Sequence, residues 1–306
     1  MTTTLAPKRL SPASALVGIG LMLLGTFLFS VNDTLGKWLV GTYSVGQVLM
    51  LRSVAALAVL LPIMRRERAS FQLPPRLGLH VLRTLFSTLE VACFYAAVSY
   101  LPLADVMTFY LAGPIWVAAI AHVWLGERLD PARAAMIAIG FVGVVVTLRP
   151  SDATLSLPAL IAVAGSLLYA LLMITTRKLK AAPDTTLVLG QTLGALFLGA
   201  ILSPIGWVTP GPLDLAGLFC LGIVAMGAHA CVNRSLKLAP ASVVAPYQYT
   251  LIVWAIVLGY LAFGDVVGAR TLAGAAIICA AGLALMVFEH RASRRAGITP
   301  PILPEI

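Results

Sequence analysis

Long apolar stretches alternate with short polar ones along the whole chain. Ten of the apolar stretches are long enough to be read as spanning helices: roughly 13–34, 43–64, 79–99, 103–125, 133–149, 156–176, 185–207, 214–235, 241–263 and 268–288. A helix needs about 20 apolar residues to cross a bilayer. The polar intervals are mostly too short to fold alone, so the pattern predicts an all-α polytopic membrane protein without a soluble domain. Five spans fall in 13–149 and five in 156–288, with a hinge at 150–155 and polar tails at 1–12 and 289–306. Gly113-Pro114 interrupts the fourth span and Pro246 the start of the ninth. In lipid the carbonyl freed by a proline needs another partner, so these breaks should face protein or a cavity. Gly140, Gly143, Gly274 and Gly282 mark the fifth and tenth spans for close helix packing, with a dimer face as a further use.

The sequence also repeats itself. At an offset of 138 residues, Pro102 falls on Pro240, Trp116 on Trp254, Gly126 on Gly264 and Glu127 on Asp265. At 140 residues, Gly25 falls on Gly165, Phe29 on Tyr169 and Lys37 on Arg177. Each copy has an odd number of spans. The second must therefore enter the bilayer from the side opposite to the first, giving two inverted five-helix repeats. Inverted repeats place two related gates around a central site.

Composition agrees. Hydrophobic residues make up 60% of the 306 and charged residues 11%, against about 25% charged in a soluble domain. The net charge of +9 does not point to nucleic acid, because its distribution follows topology. With the N-terminus in the cytoplasm, sixteen of the 21 Lys and Arg residues fall inside and three (Lys37, Arg149 and Arg270) outside. Arg52 and Arg83 lie within spans. This is the positive-inside bias, and it places both termini in the cytoplasm. The first span reads as retained rather than as a cleaved leader. The cysteines, Cys93, Cys220, Cys231 and Cys279, lie in spans without metal-ligand spacing, and no cofactor or metal is expected.

Tyr100-Leu101-Pro102-Leu103-Ala104-Asp105 leads into a span ending Leu125-Gly126-Glu127-Arg128, followed by Gly140-Phe141-Val142-Gly143 and Leu148-Arg149-Pro150. The second half echoes this with Ala239-Pro240-Ala241, Gly264-Asp265 and Gly282. Over about residues 15–288 the chain resembles the paired EamA-type domains of the drug/metabolite transporter superfamily. The resemblance implies a secondary transporter of the bacterial inner membrane, with a cavity lined by spans one, three, four, six, eight and nine. Members move amino acids, nucleoside-like metabolites, vitamins and drugs. The second half departs from the pattern by carrying Asp265 for Glu127 and nothing equivalent to Arg128.

Charges in hydrocarbon cost several kcal/mol, so each is a candidate site. Arg52 and Glu90 lie at similar depths and are expected to pair, either as a static ion pair or with Glu90 carrying a proton or the substrate's cationic group. Arg83 shares a helical face with Glu90. It either snorkels or attracts an anionic group. Asn32 and Asp33, near Lys37, form an external cap or gate, and Glu127-Arg128 either a surface pair or a gate latch. Tyr95, Tyr110, Trp116, Tyr169, His229, Asn233, Tyr247, Gln248 and Trp254 are candidates for an aromatic–polar pocket at the repeat interface, alongside Glu90. His122 and Gln191 are weaker candidates. Matching the copies sets Arg52 against Gln191, Glu90 against Ala228 and Tyr95 against Asn233, so the substrate site is expected where the copies differ.

The first expectation is therefore a transporter of a small polar or amphipathic metabolite, as an amino-acid or metabolite exporter, with vitamin or nucleoside uptake as the alternative. A membrane enzyme would need clustered ligands, and the histidines His80, His122, His229 and His290 are scattered. A pump would need a P-loop, which is lacking. Protons are a candidate coupling partner, and the assembly is a monomer or a homodimer. A fluorescent reporter fused after Ile306 should light up in the cytoplasm, and an alkaline phosphatase fused there should be inactive. The reverse pattern would overturn the topology.

Overall fold

The computed structural model describes residues 12–66, 76–113, 115–117, 119–120, 131–148, 156–179, 182–238 and 245–295. Ten α-helices can be bounded among the described residues, in chain order: α1 (Pro12–Val40), α2 (Val45–Arg66), α3 (Leu77–Val98), α4 (Leu103–Tyr110), α5 (Pro131–Leu148), α6 (Leu157–Lys178), α7 (Asp184–Leu202), α8 (Pro212–Leu238), α9 (Thr250–Phe263) and α10 (Ala269–Arg295); 115–117 and 119–120 are helical as well. There is no strand among the described residues. Seven of these helices are long and apolar enough to cross a membrane; shorter apolar helices cover 103–117, 134–147 and 247–263. The protein is an all-α polytopic membrane protein, as the hydrophobic pattern predicts. A helix satisfies its own backbone, which hydrocarbon cannot do for it.

The shorter helices in the fourth and ninth positions reflect sequence. α4 stops at Tyr110 and a turn at Leu111–Ala112 precedes Gly113. This is the break expected from Gly113-Pro114. α9 is preceded by a single 3₁₀ turn, Ala245–Tyr249, which contains Pro246. It closes on Gly264, whose φ of 68° is left-handed and suits a residue without Cβ. Proline also opens helices: Pro131 and Pro212 begin α5 and α8, where a missing N–H leaves no bond unmade.

The helices pack as a pseudo-twofold arrangement. α1 lies against α8 and its repeat mate α6 against α3. The mates α2 and α7, α4 and α9, and α5 and α10 pack against each other. Glycine contacts show that these mates run in opposite directions. Near the start of α2, Gly46 and Met50 face Gly199 near the end of α7. A Cβ on Gly199 would lie 2.5 Å from the Met50 nitrogen and 2.8 Å from the Gly46 carbonyl oxygen. Late in α5, Gly143 faces Gly274 early in α10, with 3.0 Å between its would-be Cβ and the Gly274 carbonyl oxygen. Gly140 takes the Ile115 side chain and Gly282 the Tyr249 side chain. The four glycines expected to allow close packing do so within the chain. Large apolar side chains such as Phe197 and Leu261 point outward, as lipid-facing positions require.

Because the atoms opposite Gly199 are backbone, they cannot move aside. Gly199→Ala should destabilise the protein by about 1–3 kcal/mol and lower its unfolding temperature in detergent. Gly20, which has nothing within 4 Å of its would-be Cβ, should accept alanine without loss. Equal unfolding temperatures for the two variants would contradict the close α2–α7 contact.

Candidate functional site

One face of α1 runs through the middle of the molecule as a polar and aromatic stripe. Its members recur at three and four residues: Thr26, Phe29, Asp33, Gly36 and Lys37. The Thr26 hydroxyl meets that of Thr250 at the start of α9, 3.1 Å away. The Phe29 ring meets the edge of His229 on α8, with centroids 4.8 Å apart. Gly36 leaves room for the Tyr95 ring of α3: a Cβ there would lie 3.1 Å from the Tyr95 hydroxyl oxygen. Lys37 ends the stripe near the end of α1, on the face opposite Pro12.

Asp33 on α1, Arg52 on α2 and Glu90 on α3 meet around two tyrosines: Tyr95, which accepts from Arg52 and fills the space left by Gly36, three residues past Asp33, and Tyr110, which donates to the Glu90 backbone. The expected Arg52–Glu90 ion pair is not formed. Arg52 instead donates to the Tyr95 hydroxyl, with its guanidinium carbon 5.4 Å from the Tyr95 ring centroid. Tyr95 lies five residues beyond Glu90 on α3, a rise of about 7.5 Å. A guanidinium that reaches the tyrosine is therefore drawn a turn above the carboxylate. Asp33 accepts from the Asn32 amide at 3.1 Å. The Tyr110 hydroxyl donates to the Glu90 carbonyl oxygen at 3.3 Å. Tyr110 packs between Phe94, 5.5 Å away edge-on, and Tyr169, 6.2 Å away. Gly113 and Gly165 leave the space those two tyrosines fill. Thus Asn32, Asp33, Arg52, Glu90, Tyr95, Tyr110, Tyr169 and His229 gather from α1, α2, α3, α4, α6 and α8.

Arg83 does not join the cluster as a charge partner. Its guanidinium donates to the Thr176 hydroxyl at 2.9 Å and to the Leu187 carbonyl at 3.0 Å. It is a buried tie between α3, α6 and the start of α7, since those acceptors stand nearer than any carboxylate. Trp116 donates its indole N–H to Ser166 at 3.1 Å and packs edge-on to Phe141. Trp254 packs on Phe27, and its indole nitrogen, like the Tyr249 hydroxyl, is buried without a partner. Tyr247 and Gln248 sit half-buried on the 3₁₀ turn before α9. Asn233 lies on α8 one turn past His229. Glu127, Arg128 and His122 lie outside the described residues, as does the hinge.

The face where α1 ends and α10 begins carries fastenings that sequence reading did not assemble. Lys37 and Asp265 form an ion pair at 2.5 Å, 14% and 20% exposed, with the Lys37 ammonium 4.5 Å from the Phe263 ring centroid. Tyr43 donates to Asp214 at 2.5 Å, and Thr271 to Asp105 at 2.7 Å. The Gln47 side chain both donates to and accepts from the Val208 backbone. Each of these joins one half of the chain to the other. Lys37 and Asp265 are visible in sequence as polar ends of spans, but nothing in sequence says that they meet.

Cys93 is half-buried under the Tyr110–Gly165 contact, which makes it a probe for whether these fastenings limit access to the interior. In a protein retaining Cys93 alone, Lys37→Gln should speed its labelling by an impermeant thiol reagent added from that face. About fivefold is expected, the shift that about 1 kcal/mol gives. Asp265→Asn should do the same and the double variant no more. Unchanged labelling would show that the ion pair does not control access.

The profile described as the EamA-like transporter family matches residues 16–149 and 156–288. Over 288 residues the chain is 26% identical to an S-adenosylmethionine uptake transporter of Rickettsia felis, covering 92% of this chain and 96% of that protein. It is 26% identical over 275 residues to the pseudopaline exporter CntI of Pseudomonas aeruginosa, covering 88% and 95%. It is 25% identical over 288 residues to a riboflavin transporter of Rhizobium johnstonii, covering 93% and 95%. A protein of known crystal structure shares the fold, with a TM-score of 0.59 at 18% identity over 90% of this chain and 98% of that one. Since the family profile takes in nearly all of both repeats, the chain belongs to the EamA-like transporter family.

Proposed function

We propose that the protein is a secondary transporter of the bacterial inner membrane that moves a small polar or amphipathic metabolite by alternating access, with export of amino acids or related metabolites as the leading reading. The observation that carries it is the cluster of Asp33, Arg52, Glu90, Tyr95, Tyr110, Tyr169 and His229, drawn from both halves at membrane depth. Buried charges of this kind are retained where a polar solute or ion must pass. Antiparallel mates then allow either face to open around the same centre. The repeats run over 13–149 and 156–288 with 150–155 as an external hinge, and both termini, with their basic tails, lie in the cytoplasm. On that orientation the Lys37–Asp265 pair fastens the external face.

Uptake is the second reading. Two of the relatives above are named for uptake of S-adenosylmethionine or transport of riboflavin, and one for export of pseudopaline.

A thermal-shift screen of the purified protein against metabolite pools should find solutes that raise its unfolding temperature. Those solutes should cross proteoliposomes containing it, and not empty ones. Stabilisation by no solute, with no flux, would overturn the transport reading.

A further inference from the structure

The two repeats share a small hydrogen-bonded unit that is complete in one and incomplete in the other. In the complete unit the Ser166 hydroxyl of α6 donates to the Val163 carbonyl, three residues back, at 2.8 Å. The same hydroxyl accepts the Trp116 indole N–H at 3.1 Å. An offset of 138 carries Trp116 onto Trp254 of α9, and one of 140 carries Thr26 of α1 onto Ser166. Thr26 repeats half of the unit, donating to the Leu23 carbonyl, three residues back, at 2.9 Å. The other half is not made. The Trp254 indole nitrogen is buried without a partner, and its ring packs edge-on against Phe27, the neighbour of Thr26, with centroids 5.1 Å apart.

Thr26 faces the Thr250 hydroxyl instead, at 3.1 Å. Thr250 in turn donates to the Tyr247 carbonyl at 2.6 Å. A hydroxyl has one proton to donate. With both protons directed to helix carbonyls, the Thr26–Thr250 contact sets two oxygens together with none between them. The Thr26 oxygen lacks a donor there, and the Trp254 N–H lacks an acceptor. Buried polar groups left in this way are destabilising. Ala112, which matches Thr250 in the first repeat, offers no rival hydroxyl to Ser166. No solvent reaches the Trp254 nitrogen in this arrangement, so its acceptor comes from the protein rather than from a solute.

α1 also closes the external face, through Lys37 and the Asp265 carboxylate just past α9. Thr26 and Lys37 belong to one face of one helix, so a rotation of α1 that frees Lys37 also turns Thr26 against α9. Gly25 supplies the pivot: a Cβ there would lie 3.3 Å from the Ala228 carbonyl oxygen of α8. Thr250 and Trp254 stand one turn apart on the same face of α9, so a rotation about that pivot passes the Thr26 hydroxyl from one to the other.

We propose that Thr26 is a two-position switch: its hydroxyl faces Thr250 while the external face is closed, and accepts the Trp254 indole N–H when that face opens. The inference rests on the transport reading and adds to it a contact that holds the second state.

The test uses full-length protein in nanodiscs, isotope-labelled at its indole nitrogens, with Trp254→Phe assigning the Trp254 resonance. Lys37→Gln combined with Asp265→Asn should move the Trp254 indole proton downfield. Adding Thr26→Val, which keeps the shape and removes the hydroxyl, should abolish that move. In the protein retaining Cys93 alone, Trp254→Phe should slow labelling from the external face about threefold, the weight of one neutral hydrogen bond. In a Thr26→Val background the same substitution should have no effect. All variants should keep the wild-type unfolding temperature to within a few degrees; if Thr26→Val unfolds early, the downfield move and the slower labelling of Trp254→Phe decide. A Trp254 resonance that stays put while labelling accelerates would overturn the proposal, as would a move that survives Thr26→Val. So would the absence of any response in both measurements. In that last case, uptake of an isotope-labelled bacterial metabolite extract by proteoliposomes judges the transport reading separately: flux keeps it and removes only the switch, and no flux removes both.

Discussion

Hydrocarbon offers no hydrogen bonds, and that one constraint shapes the molecule. Every backbone group must be satisfied within its own helix or by a neighbour, so ten helices form and no strand is left open among the described residues. The same constraint turns polar side chains inward. Thr108, Thr147, Thr175 and Thr192 each return their hydroxyl to a carbonyl of their own helix, one turn back. The longer polar side chains cannot do this and must meet across helices. Arg83 finds Thr176 and Leu187, Arg52 finds Tyr95, and Trp116 finds Ser166.

Helix association in lipid lacks the hydrophobic drive available in water, so contact depends on close packing. The inverted mates achieve it with small residues placed where backbones cross: Gly46 and Gly199 between α2 and α7, Gly143 and Gly274 between α5 and α10. Gly222 does the same between α8 and the Arg52 carbonyl of α2. These seams hold the two halves together and also set the depth at which Arg52 enters the centre. The packing of the scaffold and the chemistry of the site are thus connected through one stretch of α2.

The scaffold is symmetric and the site is not. Packing recurs in mated pairs around the pseudo-twofold, yet the second copy has Gln191, Ala228 and Asn233 where the first has Arg52, Glu90 and Tyr95. Two faces that open in turn benefit from related architecture. The departure from symmetry falls at the candidate centre, and the symmetry is kept where the mated helices pack.

Sequence alone determined the helices, the repeat and its inversion, because span length, odd span number and the distribution of Lys and Arg are local or additive properties. It also marked the charged and aromatic residues of the centre, since a polar group at membrane depth is conspicuous wherever it points. What it could not determine was partnership. Arg52 and Glu90 have matching depths, but depth says nothing of rotation about the helix axis, and the guanidinium went to Tyr95. Arg83 shares a face with Glu90 yet ties α3 to α6 and α7, since its reach extends away from that carboxylate. Lys37 and Asp265 stand 228 residues apart and meet only when α1 and α9 come together. Which polar residue satisfies which is decided by helix rotation and crossing, and those are fixed by tertiary packing.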